Sequence, residues 1–258
     1  MNEELLTAHQ RAIADRVLDE ESARREHVVI YLSGAHAYGF PSPDSDLDLK
    51  AIHLAPTESL LGLSQPNPTA DRAEIIDQVE IDYTSNELGG VLAGILAGNG
   101  NYLERVLGRT AVRSSELHDS LRAVVQANLT RRVYRHYRGF VSGQQKELEK
   151  KPTVKKLLYV LRTALTGTHL LLTGTLETDL TLLLDTYELG NARDLVLAKR
   201  AGERVAADPA LLDAWRPRLD RILVRVDEAH ADSVLPEEPA RLDLAERWLI
   251  EARRSRLK

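Results

Sequence analysis

The sequence predicts an α+β protein, in which a small mixed β-sheet with flanking helices is followed by a C-terminal helical bundle. Three observations predict it. Short β-branched runs cluster in roughly the first 85 residues, and helical periodicity fills the remainder. Between the runs lie Gly/Pro-rich breaks, and no internal repeat is present. The domains are expected at 1–112 and 113–258.

The elements follow in order. Residues 2–26 carry Leu5, Leu6, Ile13, Val17 and Leu18 at helical spacing between charges, which predicts an amphipathic helix. His27–Leu32 (HVVIYL) reads as a strand that stops at Ser33-Gly34. Gly39–Asp44 (GFPSPD) is a loop, because two prolines and a glycine oppose regular structure. Leu47–His53 is a second strand, 56–72 an exposed connection, and Ile75–Tyr83 a third strand. Ser85–Ala97 is helical up to the break Gly98-Asn99-Gly100-Asn101. Further helices are expected over 115–150, 153–173, 178–207, 209–232 and 239–256.

Composition narrows the function. The chain has 258 residues, 43% of them hydrophobic and 28% charged, as in an ordinary globular protein. Its formal net charge of −5 excludes a wholly basic nucleic-acid coat, so any nucleic acid must meet a local basic patch. The absence of cysteine excludes disulfides, thiolate zinc sites and cysteine nucleophiles. The charged first 27 residues hold no secretory apolar core, and the apolar run at Leu170–Leu172 is far too short for a bilayer. The expectation is a cytoplasmic protein with no membrane partner.

The chemistry gathers around Asp46 and Asp48. Carboxylates two apart on a strand share a face, and their mutual repulsion is relieved by a divalent cation. Hard oxygen ligands of this kind suit Mg²⁺ or Mn²⁺. A bare Asp-x-Asp also describes a solvated strand end, and both readings stand until context is added. That context is Gly34, twelve residues earlier and directly after an apolar strand, where the backbone can turn sharply and approach a phosphate. Ser33 and Ser45 bring hydroxyls nearby. On a later strand Glu80 and Asp82 share one face, so a third carboxylate converges if the two strands are neighbours.

The segment Leu32–Leu49, LSGAHAYGFPSPDSDLDL, resembles the signature of the DNA polymerase beta nucleotidyltransferase superfamily. Its Ala-Tyr-Gly and Pro-Asp-Ser-Asp-Leu-Asp elements are similar to the bacterial and phage branch associated with RNA repair. The likeness continues through Val79–Asp82 and Gly98–Glu104, then more weakly through Tyr137-Arg138-Gly139 and Lys155–Arg162, covering roughly residues 28–175. The resemblance implies that 1–112 is a catalytic domain. It implies transfer of a nucleoside monophosphate from an NTP to a hydroxyl acceptor, an RNA end being favoured, with release of pyrophosphate. Asp46 and Asp48 would hold the metal that carries the triphosphate, and Asp82, with Glu80 in reserve, would complete a second metal site. One departure stands out: Ala35 occupies the position where the family usually has a phosphate-binding serine.

Lys155, Tyr159, Arg162 and Thr166 fall on one helical face and, with Lys156, are candidates to meet the β- and γ-phosphates; a solvated basic face is the alternative. Arg131–Arg138 is the densest basic and aromatic stretch, suited either to stacking bases or to packing its tyrosines inward. His36 is a candidate for phosphate or base, Tyr38 for loop packing, and Glu104 for a structural role. Two other functions stay open: a non-catalytic nucleotide-binding or antitoxin-like module, favoured by Ala35, and a transferase acting on a small molecule or a protein.

Overall fold

A five-stranded mixed sheet, ordered β3-β4-β2-β1-β5, forms the first half of the protein. The structure, a computed structural model, describes residues 5–202 and 205–257. Two compact units result. The first comprises residues up to His36, Asp46–Leu129 and the stretch from Pro239 onward; the second comprises Ala37–Ser45 and Thr130–Glu238. Neither is a single stretch of chain, and the boundary expected after 112 falls inside a strand.

The first unit opens with α1 (Ala8–Arg24), which starts where Thr7 and Gln10 form a reciprocal capping box. That cap sets the start later than the predicted residue 2; positions 2–4 lie outside the described residues. Strand β1 (Glu26–Leu32) is buried along Val28–Leu32 and runs antiparallel to β2 (Leu47–Leu54). Between them lies a one-turn helix, α2 (Gly34–Ala37). The connection expected over 56–72 holds a short helix, α3 (Thr57–Leu61), and the start of an edge strand, β3 (Thr69–Ile76). The strand predicted over 75–83 is in fact the end of β3, a hairpin turn and the start of β4 (Val79–Glu87). Asp77 and Gln78 both take positive φ at that turn, 45° and 69°. Such turns are usually announced by Asn-Gly or Asp-Gly, and Asp-Gln gives no such signal.

β4 lies parallel to β2, which makes the sheet mixed. Leu47, Leu49, Ile81 and Tyr83 join Ile13, Val17 and Leu18 of α1 in one buried core. The alternate residues of β2 and β4 point to the other face. Helices α4 (Leu88–Leu96) and α5 (Gly100–Leu107) pack against the sheet and precede β5 (Ala111–Ser114). Arg105 of α5 is buried and donates to the Ala51 carbonyl (3.1 Å) and to Asn86 Oδ1 (2.6 Å), so burial lowers its pKa.

The helix expected over 115–150 is two helices. α6 (Glu116–Gln126) belongs to the first unit and α7 (Val133–Lys150) to the second. Asn128 between them is buried. Its amide donates to the carbonyls of Val124 (3.0 Å) and Arg241 (3.1 Å), and its Oδ1 accepts from Arg241 N (2.9 Å). This clamp brings α12 (Leu242–Arg254) back to the first unit, where Trp248 Nε1 donates to Ser120 of α6 (3.0 Å).

The second unit is helical. α8 (Val154–Thr173) matches the helix predicted over 153–173 and is buried along most of its length, and α11 (Pro209–Ala231) packs against it. The helix expected over 178–207 breaks up. Only α9 (Leu180–Leu183), one 3₁₀ turn and α10 (Arg193–Arg200) are regular, with Glu188 at φ 59° interrupting them; 203–204 lie outside the described residues.

Candidate nucleotidyltransferase site

The site is built where β1 ends beside the start of β2. Leu32 pairs with Leu49, and the amide of Ser33 extends the ladder by donating to the Asp48 carbonyl at 2.7 Å. The next residue, Gly34, turns out at φ +65°. A Cβ here would collide with Asp48 Oδ2 and lie 3.1 Å from its Cγ. Glycine is therefore required twice over: for the left-handed backbone and for the room it leaves the Asp48 carboxylate. The sequence had suggested close approach to a phosphate; in the protein the near neighbour is one of the aspartates.

Across the parallel pair, Asp48 is the direct partner of Asp82. The two carboxylates thus come from adjacent strands and share a face. Glu80 is exposed on the same face of β4, two residues nearer the strand's start. Asp46, half-buried, immediately precedes β2. Lys50, two residues after Asp48, stands over the pair. Its Nζ lies 2.7 Å from Asp82 Oδ2 and 3.8 Å from Asp48 Oδ1, and it also donates to the Asp82 carbonyl at 3.4 Å. The side chains remain accessible, Asp82 at 51% and Asp48 at 30%. No motif marks Lys50, although its parity with Asp48 in Asp-Leu-Asp-Leu-Lys is readable in the sequence.

Among the described residues, no group of three or more His, Cys, Asp or Glu side chains is arranged to hold a metal ion. The residues nonetheless fit one in part. Asp48 and Asp82 offer hard carboxylate oxygens, and position 34 leaves room that any Cβ would fill, which suits a divalent ion; the Lys50 ammonium now lies between the two carboxylates and opposes one.

The remaining candidates divide by unit. Ser33 and Gly34 stand beside Asp48 in the first. Ala35 and His36 follow them and are buried, at 6% and 3% exposure. Ser45 belongs to the second unit, where its hydroxyl accepts from the Ser42 amide (3.0 Å), pairs with the Ser42 hydroxyl (3.0 Å) and lies 3.4 Å from the buried Lys199 Nζ. No sequence signal marked Lys199 as buried. In the same unit Arg162 sits 3.6 Å from the centre of the Tyr38 ring and is itself buried. Tyr38 meets Tyr159 edge to face at 5.5 Å, and the Thr166 residue is fully buried. Tyr159 and Arg162 of α8 therefore pack against Tyr38 and Phe40 of the 37–45 loop. Lys155 is half-buried with Nζ 5.9 Å from the Tyr159 ring, and Lys156 donates to the Glu147 carbonyl at 2.8 Å.

The basic and aromatic stretch at 131–138 is turned largely to its own unit. Tyr137 is in the core; Arg131 donates to the Leu235 and Ser233 carbonyls; Arg132 pairs with Glu238. Tyr134 and Arg138 both donate to Asp227, and Tyr134 stacks on His230 at 4.1 Å. Glu104 is buried in α5.

Comparison with known proteins decides the family. The RNA repair pathway DNA polymerase beta family, RlaP, matches residues 10–251. The chain belongs to this family. The RlaP match runs well past residue 175, where the motif resemblance faded, so the helical second unit and α12 are part of the family's pattern. The match also makes the chain a polymerase beta-type nucleotidyltransferase in class. The uncharacterized protein MJ0002 of Methanocaldococcus jannaschii is 27% identical over 221 residues, covering 83% of this chain and 88% of its own. A nucleotidyltransferase-like protein from Exiguobacterium sibiricum aligns loosely, with a TM-score of 0.32 and 10% identity over 93% of this chain and 78% of its own. No described helix is long and apolar enough to cross a membrane.

Proposed function

We propose that this RlaP-family protein transfers a nucleoside monophosphate from an NTP to a hydroxyl acceptor, with release of pyrophosphate. The observation that carries the reading is the setting of Asp48, against Gly34 on one side and level with Asp82 on the other. In this reading Asp46 and Asp48 hold Mg²⁺ or Mn²⁺, and Asp82 is the third carboxylate. Asp82 is preferred to Glu80 because it is the strand partner of Asp48. When bound, the metal neutralises triphosphate charge and lowers the pKa of the attacking hydroxyl.

The protein's own part is positioning. Rigid β2 and β4 hold the carboxylates at a fixed spacing, and Gly34 places no side chain of its own against Asp48. Ser33 and Gly34 are the proposed phosphate contacts of the first unit. Lys155 and Arg162 are proposed contacts on the strength of the family pattern. Ser45 serves first to brace the turn before Asp46, since its hydroxyl is shared with Ser42 and Lys199. An RNA end is the favoured acceptor, supported by the RNA-repair description of the family.

A second reading, a nucleotide-binding module without turnover, is favoured by Ala35 and by the Lys50–Asp82 ion pair. Incubation with labelled NTPs, Mg²⁺ or Mn²⁺ and a pool of RNAs separates the two. Pyrophosphate release supports transfer; nucleotide binding with no release from any acceptor supports the module.

A further inference from the structure

Two carboxylates on adjacent strands, level with each other, repel unless a cation lies between them. In this protein that cation is Lys50, 2.7 Å from Asp82 Oδ2 and 3.8 Å from Asp48 Oδ1. Its tightest contact is with a single carboxylate, Asp82. The lysine stem is flexible, and the Asp82 side chain is half-exposed, so solvent screens the ion pair. A doubly charged ion approaching the same oxygens meets both attraction to the aspartates and repulsion from the ammonium. The two cations cannot share the place.

We infer that Lys50 is the resident counter-ion of the Asp48–Asp82 pair and must yield that place before Asp82 can ligate a divalent cation. The inference rests on the proposed metal-dependent reading and adds a control to it. Lys50 acts through Asp82 as a positioning residue. With its ammonium in place, Asp46 and Asp48 are the carboxylates offered to metal; with it swung aside, Asp82 joins them.

The test is a titration of the full-length protein with Mn²⁺ alone, followed by calorimetry and by the Mn²⁺ paramagnetic signal. Removing a like charge at this range is expected to tighten Mn²⁺ binding in Lys50→Gln about tenfold. Lys50→Arg keeps the charge and is expected to bind as the wild type does. Mn²⁺ should also raise the melting temperature more in Lys50→Gln than in the wild type. Equal or weaker Mn²⁺ affinity in a folded Lys50→Gln variant overturns the inference. The metal reading fails separately: Asp46→Asn/Asp48→Asn then binds Mn²⁺ as well as the wild type.

Discussion

The carboxylate of Asp48 lies against the bare Cα of Gly34, the second residue beyond the β1 strand that pairs with its own. The glycine and the aspartate are two sides of one cradle.

Gly34→Ala therefore combines two penalties. A side chain at φ +65° is strained, costing about 1–2 kcal/mol. The Cβ also pushes Asp48 from its place, and a displacement of this size lowers nucleotidyl transfer about a hundredfold. Denaturant unfolding and pyrophosphate release measure the two effects separately. A variant with normal turnover would show that the Asp48 position is not critical.

Acid stability turns on a histidine on the sheet's α1 side. Burial, with the Arg25 and His53 charges, lowers the His27 pKa from 6.5 to about 4. Tyr83 Oη lies 2.7 Å from His27 Nε2 and accepts from Arg25 at 3.1 Å. Between pH 6.5 and about 4 the unfolded chain binds a proton here that the folded chain refuses, so stability falls as pH falls through that window. His27→Gln cannot titrate and is expected to flatten this part of the melting-temperature profile. Parallel wild-type and variant profiles would contradict the assignment.

Asn128→Ala removes the three hydrogen bonds that tie the end of α6 to Arg241 and to Val124. Each is worth about 1 kcal/mol net, so a loss of about 2–3 kcal/mol is expected, seen as a lower denaturant midpoint. An unchanged midpoint would show that other contacts alone retain α12.

Much of this was legible in the sequence, and the gaps have physical causes. The apolar runs of β1 and β2 and the shared face of Glu80 and Asp82 follow from strand periodicity, whereas Asp46 lies just before β2. The pairing of Asp48 with Asp82 does not, because parallel partners are joined through a long connection and register is a tertiary fact. The β3–β4 hairpin was hidden by an Asp-Gln turn, and the α6–α7 break by Asn128, which interrupts the helix through a distant partner, Arg241. The face of Tyr159 and Arg162 read equally as a phosphate surface or as a solvated one. In the protein it meets Tyr38 and Phe40, a contact that local spacing does not encode.

The most direct test is pyrophosphate release from labelled NTP with Mg²⁺ or Mn²⁺ and RNA ends, comparing the wild type with Asp46→Ala/Asp48→Ala. The wild type is expected to release pyrophosphate, and the double variant to fall by at least about a thousandfold. Release that survives the double substitution would contradict this expectation.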